Sequence, residues 1–101
     1  WEPRWDGDAH AGRTETSLML ALAPSRVRPD AARAGNVDPI EQLIVELAEC
    51  GVRELSGNGV LGDPTGASAA EGEELLDVAA AQLVEAIQAW FGIARTRTVV
   101  P

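Results

Sequence analysis

The fold is decided by residues 8–22, which run Asp-Ala-His-Ala-Gly-Arg-Thr-Glu-Thr-Ser-Leu-Met-Leu-Ala-Leu. This stretch changes from a polar, Gly-containing loop into an apolar run. Thr14 is typical of a helix N-cap, and Pro24 stops regular structure after the run. The sequence therefore predicts a loop over residues 1–14 and a helix from about Glu15 to Leu22.

His10 is the only histidine of the 101 residues, and carboxylates surround it. An imidazole titrates near neutral pH and needs a positioning partner to act as a general acid or base. Asp6, Asp8 and Glu15 are all candidates for that partner. Trp5 could close over a small substrate, because a large flat ring excludes water. The sequence thus places a candidate site for proton transfer or metal ligation in the first 15 residues.

Ordinary structural roles explain the same residues. A lone histidine in a loop is most often a polar surface residue. Glu15 would lie in the first turn of the helix, where the dipole favours any carboxylate. Trp5 is also typical of a core or interface.

A second helix is predicted over residues 39–50. Asp38 is typical of an N-cap, with Pro39 at the first helical position and Glu41 completing a capping box. Gly51 is expected to end it with a left-handed cap. Residues 52–56 could form a short strand.

A long helix is predicted from Ser68, which forms a capping box with Glu71, to about Trp90. Its predicted apolar stripe consists of Leu76, Leu83, Ile87 and Trp90. The Gly-rich loops at 1–14 and 57–67 are long for a bundle of helices and suit the ends of a sheet. Much of that sheet is expected to lie outside this chain.

Composition excludes several function classes. The net charge of -8 argues against nucleic-acid binding, which needs clustered cations. No apolar run approaches the roughly 20 residues of a membrane span, and no signal peptide is recognisable. Cys50 is the only cysteine and is expected to be a buried thiol in a reducing compartment. We therefore expect a cytoplasmic protein.

Two motifs resemble the creatininase family. Residues 10–22 resemble its histidine motif, His-(Ala/Gly)-Gly-x-x-Glu-Thr-Ser followed by an apolar helix, and Pro24 to Arg28 match the continuation. Residues 59–72 resemble a second motif, a Gly/Pro loop that leads into the last helix. The resemblance implies an α/β fold, a three-layer α/β/α sandwich. Residues 1–101 would be the C-terminal portion of one such domain, mostly helices and loops.

The resemblance also implies a two-metal hydrolase of amide C–N bonds, with zinc, iron or manganese. His10 would be the catalytic proton shuttle and Glu15 a metal-proximal carboxylate. Trp5-Asp6 resembles a Trp-Asp pair at the family's substrate entrance, although one extra residue separates this pair from His10. The family's other metal ligands, a Glu-x-His, an Asp and a further His, have no equivalent in this chain. Family members assemble as hexamers, so a homo-oligomer is implied.

Within the family, the motifs are most similar to those of a peptidase that trims a modified precursor peptide near its C-terminus. One alternative is a creatininase or another hydrolase of small cyclic amides. A second is a non-catalytic assembly fragment that uses its apolar helices for subunit contacts and leaves His10 unused.

Overall fold

A computed structural model describes residues 6–92. Within this range the chain forms four α-helices: α1 (Arg13–Leu22), α2 (Ile40–Cys50), α3 (Val52–Leu55) and α4 (Ala69–Phe91). Short 3-10 turns at Pro24–Arg26, Pro29–Ala31 and Pro64–Gly66 lie between them. The mixture of helices and Gly/Pro-rich loops agrees with the sequence prediction for this part of the chain.

Helix α1 begins two residues earlier than predicted. Gly12, not Thr14, is its N-cap residue. Thr14 lies inside the first turn, where its backbone N–H donates to Asp8 Oδ2 at 2.9 Å and its hydroxyl donates to the same oxygen. The predicted cap by Thr14 is therefore wrong, because Asp8 supplies the acceptor that a capping side chain normally provides.

Two predictions in the middle of the chain are also wrong. Asp38 does not cap α2, which begins after Pro39 with no side-chain cap; the backbone N–H of Asp38 bonds to Asn36 instead. Residues 52–55 form the single helical turn α3, not a strand. Gly51 ends α2 with a positive φ of 80°, as a glycine cap requires, but its ψ of 178° lies outside the left-handed helical conformation that was predicted.

Helices α1 and α4 pack against each other through small residues. Ser17 is completely buried, and its hydroxyl accepts the backbone N–H of Ser68 at 3.1 Å. Gly72 faces the Ser17 carbonyl so closely that a Cβ on Gly72 would lie 1.9 Å from the oxygen. The backbones of the two helices are thus in direct contact, as only glycine permits.

An ion pair closes one end of this contact. Arg13 donates two hydrogen bonds to Glu71, at 2.7 and 2.8 Å, in the two-pronged geometry of a guanidinium on a carboxylate. The hydrogen bond to Glu71 raises the pKa of Arg13 above its already high value. Ser68 caps α4 by accepting the Glu71 N–H, as predicted. The Glu71 side chain pairs with Arg13.

Large apolar side chains lie exposed along α4. The hydrophobic residues that are almost fully buried are Leu43, Leu61 and Leu75. By contrast, the predicted stripe of α4 is open to solvent over its second half: Leu83, Ile87 and Trp90 are 62%, 45% and 84% exposed. Cys50 is exposed, so its predicted burial is wrong. These faces are apolar surface that residues 6–92 do not cover.

The described residues contain no β-strand. Their one strand-like feature is an isolated antiparallel bridge between His10 and Leu61. The predicted sheet is therefore not formed by residues 6–92. None of the helices in this range combines the length and hydrophobicity that spanning a bilayer requires.

Candidate active site

The backbone of His10 is fixed by a loop from the second motif. The N–H groups of Ala9 and His10 both donate to the Leu61 carbonyl, at 2.7 and 3.0 Å, and the Leu61 N–H donates to the His10 carbonyl at 2.9 Å. Leu61 itself is only 2% exposed. The two motifs noticed in the sequence therefore meet, and their meeting sets the position of the histidine.

Glu15 is the carboxylate nearest to the His10 ring. His10 Nδ1 and Glu15 Oε2 are 3.7 Å apart, and both side chains are more than half exposed. The same Glu15 oxygen accepts the backbone N–H of Ala11. Ala11 has a φ of 53°, which is uncommon for a residue with a side chain. This turn directs the Ala11 N–H towards the first turn of α1, and it holds Glu15 beside the ring.

The other two candidate partners of His10 lie elsewhere. Asp8 is engaged with Thr14, as described above. Asp6 lines a separate recess of about 250 Å³ together with Asp8, Arg13 and Asp63. Hydrogen bonds from the Thr65 hydroxyl and backbone N–H lower the pKa of Asp63 in this recess. Trp5 lies outside the described residues, and the role of Trp5-Asp6 in substrate binding stays a prediction.

The chemistry available to His10 and Glu15 follows from their geometry. With Nδ1 towards the carboxylate, Nε2 is the ring nitrogen available to a substrate. A carboxylate beside one imidazole nitrogen can position the ring for proton transfer. Glu15 Oε1 makes no hydrogen bond within residues 6–92, so this second oxygen is available to another ligand. The pair can therefore carry a proton and present one more oxygen donor.

Glu15 also lines an open groove of about 580 Å³ that shares no lining residue with the Asp6 recess. Its walls include Ala11, Met19, Arg26 and Arg28. We call this the arginine groove. The sequence does not predict this groove, because Arg26 and Arg28 follow α1 in a connection without helical or strand periodicity.

The residues described here do not form a metal site by themselves. Nowhere in residues 6–92 do three His, Cys, Asp or Glu side chains lie together as a set that could hold an ion. Asp8 Oδ1 is buried without a hydrogen-bond partner. This oxygen is packed directly against Gly12, so closely that a Cβ on Gly12 would lie 2.0 Å from it. The space beside the oxygen on that side is therefore filled. A two-metal centre therefore does not fit this set of residues alone.

Two residues of the site were missed or misread in the sequence. Leu61 acts through its backbone, which no side-chain pattern reveals. Asp8 was considered as a partner of His10, whereas it holds the start of α1 and thereby the position of Glu15. Its spacing of six residues before Thr14 is longer than that of an ordinary capping residue.

Replacing Asp8 with alanine is expected to destabilise α1. The N–H and hydroxyl of Thr14 would both lose their acceptor, and loss of a helix cap typically costs about 1–2 kcal/mol. The free energy of unfolding of the full-length protein in urea measures this change. Asp38→Ala is the matched control, since the Asp38 carboxylate makes no hydrogen bond within residues 6–92. Equal stability of the two variants would contradict the assigned role of Asp8.

Comparison with known proteins adds a family match. The family model for creatininase, described as creatinine amidohydrolase, matches residues 2–87. This range includes His10, Glu15 and the Leu61 loop. No solved structure matches the chain.

Curated relatives give a second match. A protein named mycofactocin precursor peptide peptidase from Mycobacterium tuberculosis (strain CDC 1551 / Oshkosh) is 44% identical over 84 residues, which is 83% of this chain and 34% of the relative. A protein of the same name from Mycobacterium ulcerans is also 44% identical over 84 residues, with the same coverage. The one from Mycolicibacterium smegmatis is 41% identical over 85 residues, covering 84% of this chain and 34% of the relative. The chain thus spans about a third of the length of the relatives it matches.

Proposed function

Because this chain belongs to the creatininase family, we propose that it is the C-terminal portion of an amidohydrolase that cleaves a peptide bond of the mycofactocin precursor peptide. The observation that carries the proposal is the His10–Glu15 pair, 3.7 Å apart, inside the matched residues. The name shared by the relatives supports the choice of substrate.

His10 is proposed as the general acid of this reaction. Hydrolysis of an amide needs a proton on the leaving nitrogen as the C–N bond breaks. Nε2 of His10 supplies that proton, while Glu15 lies beside Nδ1 and positions the ring. The hold of Leu61 on the His10 backbone limits the movement of the ring during transfer.

Glu15 is proposed to contribute one oxygen to a centre of two divalent ions, zinc, iron or manganese. Oε2 is occupied by the Ala11 N–H, which leaves Oε1 for this purpose. The remaining ligands would come from the part of the full-length protein that lies outside this chain.

The rest of the full-length protein is proposed to cover the exposed face of α4. Leu83, Ile87 and Trp90 would pack on the central sheet of a three-layer α/β/α sandwich or on another subunit of a hexamer. Either arrangement would remove from water the large apolar side chains that residues 6–92 leave exposed. Trp5 and Asp6 are proposed to line the substrate entrance.

Turnover by the full-length protein tests this function. We expect cleavage of the mycofactocin precursor peptide, little or no turnover of creatinine, and loss of cleavage when a chelator removes divalent ions. Mass spectrometry of the peptide products and a colorimetric creatinine assay measure the two activities. Turnover of creatinine alone would replace the peptidase with a hydrolase of small cyclic amides. No turnover of either substrate by metal-loaded protein would favour a non-catalytic assembly role.

A further inference from the structure

The segment that follows α1 concentrates positive charge in an acidic chain. Arg26, Arg28 and Arg33 lie within eight residues, although the chain carries a net charge of -8. Arg26 and Arg28 line the arginine groove with Glu15. Arg28 and Arg33 line an adjoining groove of about 200 Å³. The two grooves share Val27 and Arg28. The three arginines therefore line one continuous surface depression that begins beside Glu15, and we call it the track.

The charges on this track are not neutralised within residues 6–92. The side chains of Arg26 and Arg28 make no hydrogen bond or ion pair within residues 6–92, and all three arginines are exposed. Arg33 donates only to the neutral carbonyl oxygens of Asp30 and Ala32. By contrast, Arg13 on the other side of α1 is paired with Glu71. The track is thus a surface of unbalanced positive charge next to the candidate active site.

We infer that the arginine groove binds an acidic segment of the peptide substrate and selects substrates by it. This inference rests on the proposed peptidase function. Guanidinium groups bind carboxylates through paired hydrogen bonds, and Met19 and Val27 provide apolar contacts for the methylene groups between those carboxylates. A nucleic acid would need a larger cluster of cations than these three arginines provide.

The location of the groove predicts which kinetic constant changes when Arg26 and Arg28 are replaced. Arg26 and Arg28 are separated from His10 by Glu15, so they would hold the peptide without touching the bond that breaks. Such contacts act on substrate association and KM, while kcat depends on His10 and Glu15. Because the arginines are exposed, salt should weaken the contacts.

The test compares two forms of the mycofactocin precursor peptide with the full-length protein. One form carries a tract of Asp and Glu residues, and the other carries Asn and Gln at the same positions. The protein is tested as wild type, as the double variant R26Q/R28Q, as the charge-preserving variant R26K/R28K, and as R53Q. Arg53 lies in α3, is exposed, and does not line the groove, so R53Q is the matched control. Cleavage rates and fluorescence anisotropy of the labelled peptides are both measured.

We expect wild type and R53Q to favour the acidic peptide by about three- to tenfold in kcat/KM, through KM, at low salt. The R26Q/R28Q variant should treat the two peptides alike with kcat unchanged, and R26K/R28K should keep part of the preference. The preference of the wild type should shrink as salt is raised to about 0.5 M.

Three outcomes separate the possible failures. Equal kcat/KM for the two peptides with the wild type would overturn the inference while leaving the peptidase function intact. If neither peptide is cleaved, the proposed function fails, and equal anisotropy of the two peptides then overturns the inference as well. If R26Q/R28Q lowers the melting temperature and the wild type shows no preference, the arginines pair with the rest of the full-length protein and the inference is overturned.

Discussion

Replacing His10 with alanine is expected to reduce peptide hydrolysis by the full-length protein by about 10²- to 10⁴-fold in kcat. This range is the typical contribution of a side chain that moves a proton in the transition state. The loss should be confined to catalysis, because the ring is more than half exposed and the contacts that fix this residue belong to its backbone. An alanine at this position keeps all three backbone hydrogen bonds to Leu61.

Two further measurements make this prediction specific. The free energy of unfolding of His10→Ala should stay within about 0.5 kcal/mol of the wild type, as for most surface substitutions. Glu15→Gln retains an oxygen that can accept the Ala11 N–H but removes the charge beside the ring, and we expect an intermediate loss of about 10- to 100-fold. If His10→Ala keeps kcat within threefold of the wild type, the histidine is an ordinary surface residue.

The largest expected effect on stability comes from Gly72→Ala. The new Cβ would lie 1.9 Å from the Ser17 carbonyl oxygen and 3.0 Å from the Cβ of Ala21, so α1 and α4 must move apart. Alanine favours a helix over glycine by about 1 kcal/mol. Overpacking a buried contact costs about 1–3 kcal/mol and occasionally more. Because two backbones are in contact here, we expect the cost at the upper end and a net destabilisation of about 2 kcal/mol.

Gly57→Ala is the matched control for this substitution. Nothing lies within 4 Å of a Cβ built on Gly57, so this variant should be close to the wild type in urea unfolding. Separation of the helices would also stretch the hydrogen bonds from Ser17 to Ser68 and Glu71. A Gly72→Ala protein as stable as Gly57→Ala would show that the two helices are not in direct backbone contact.

The sequence predicts some features of this chain well because they depend on local chemistry. The helix from Ser68 follows from a capping residue and a long run of good helix formers, and it is observed with that cap. Gly51 takes a positive φ, as its position after an apolar helix predicts. The family resemblance, which rests on the order of residues in two motifs, is confirmed by the match over residues 2–87.

The errors arise where distant residues replace a local partner. Thr14 has the side chain of a capping residue, but Asp8 accepts the backbone N–H of Thr14 at the start of α1. Thr14 therefore lies inside the helix and does not cap it. Residues 52–56 are β-prone by composition, but they form a helical turn after Gly51. The predicted stripe of α4 marks an apolar face, and residues 6–92 leave the second half of that face exposed.

In the candidate site, too, features that depend on local side-chain chemistry were predicted and those that depend on distant contacts were not. His10 and Glu15 were predicted from the chemistry of their side chains, and the structure places them 3.7 Å apart. Leu61 was not, since its contribution is a carbonyl and an N–H that every residue possesses. The arginine groove was missed because Arg26 and Arg28 belong to a connection without periodicity, and only the packed structure places them beside Glu15.

The pairing of Arg13 with Glu71 joins residues 58 positions apart, and the bridge from His10 to Leu61 spans a similar distance. During synthesis on the ribosome, the histidine motif therefore emerges well before the segments that hold it. The contacts of His10 with Leu61 and of Arg13 with Glu71 can form only after the start of α4 has left the exit tunnel. A nascent chain that is released before that point would contain His10 and Glu15 without the distant contacts around them.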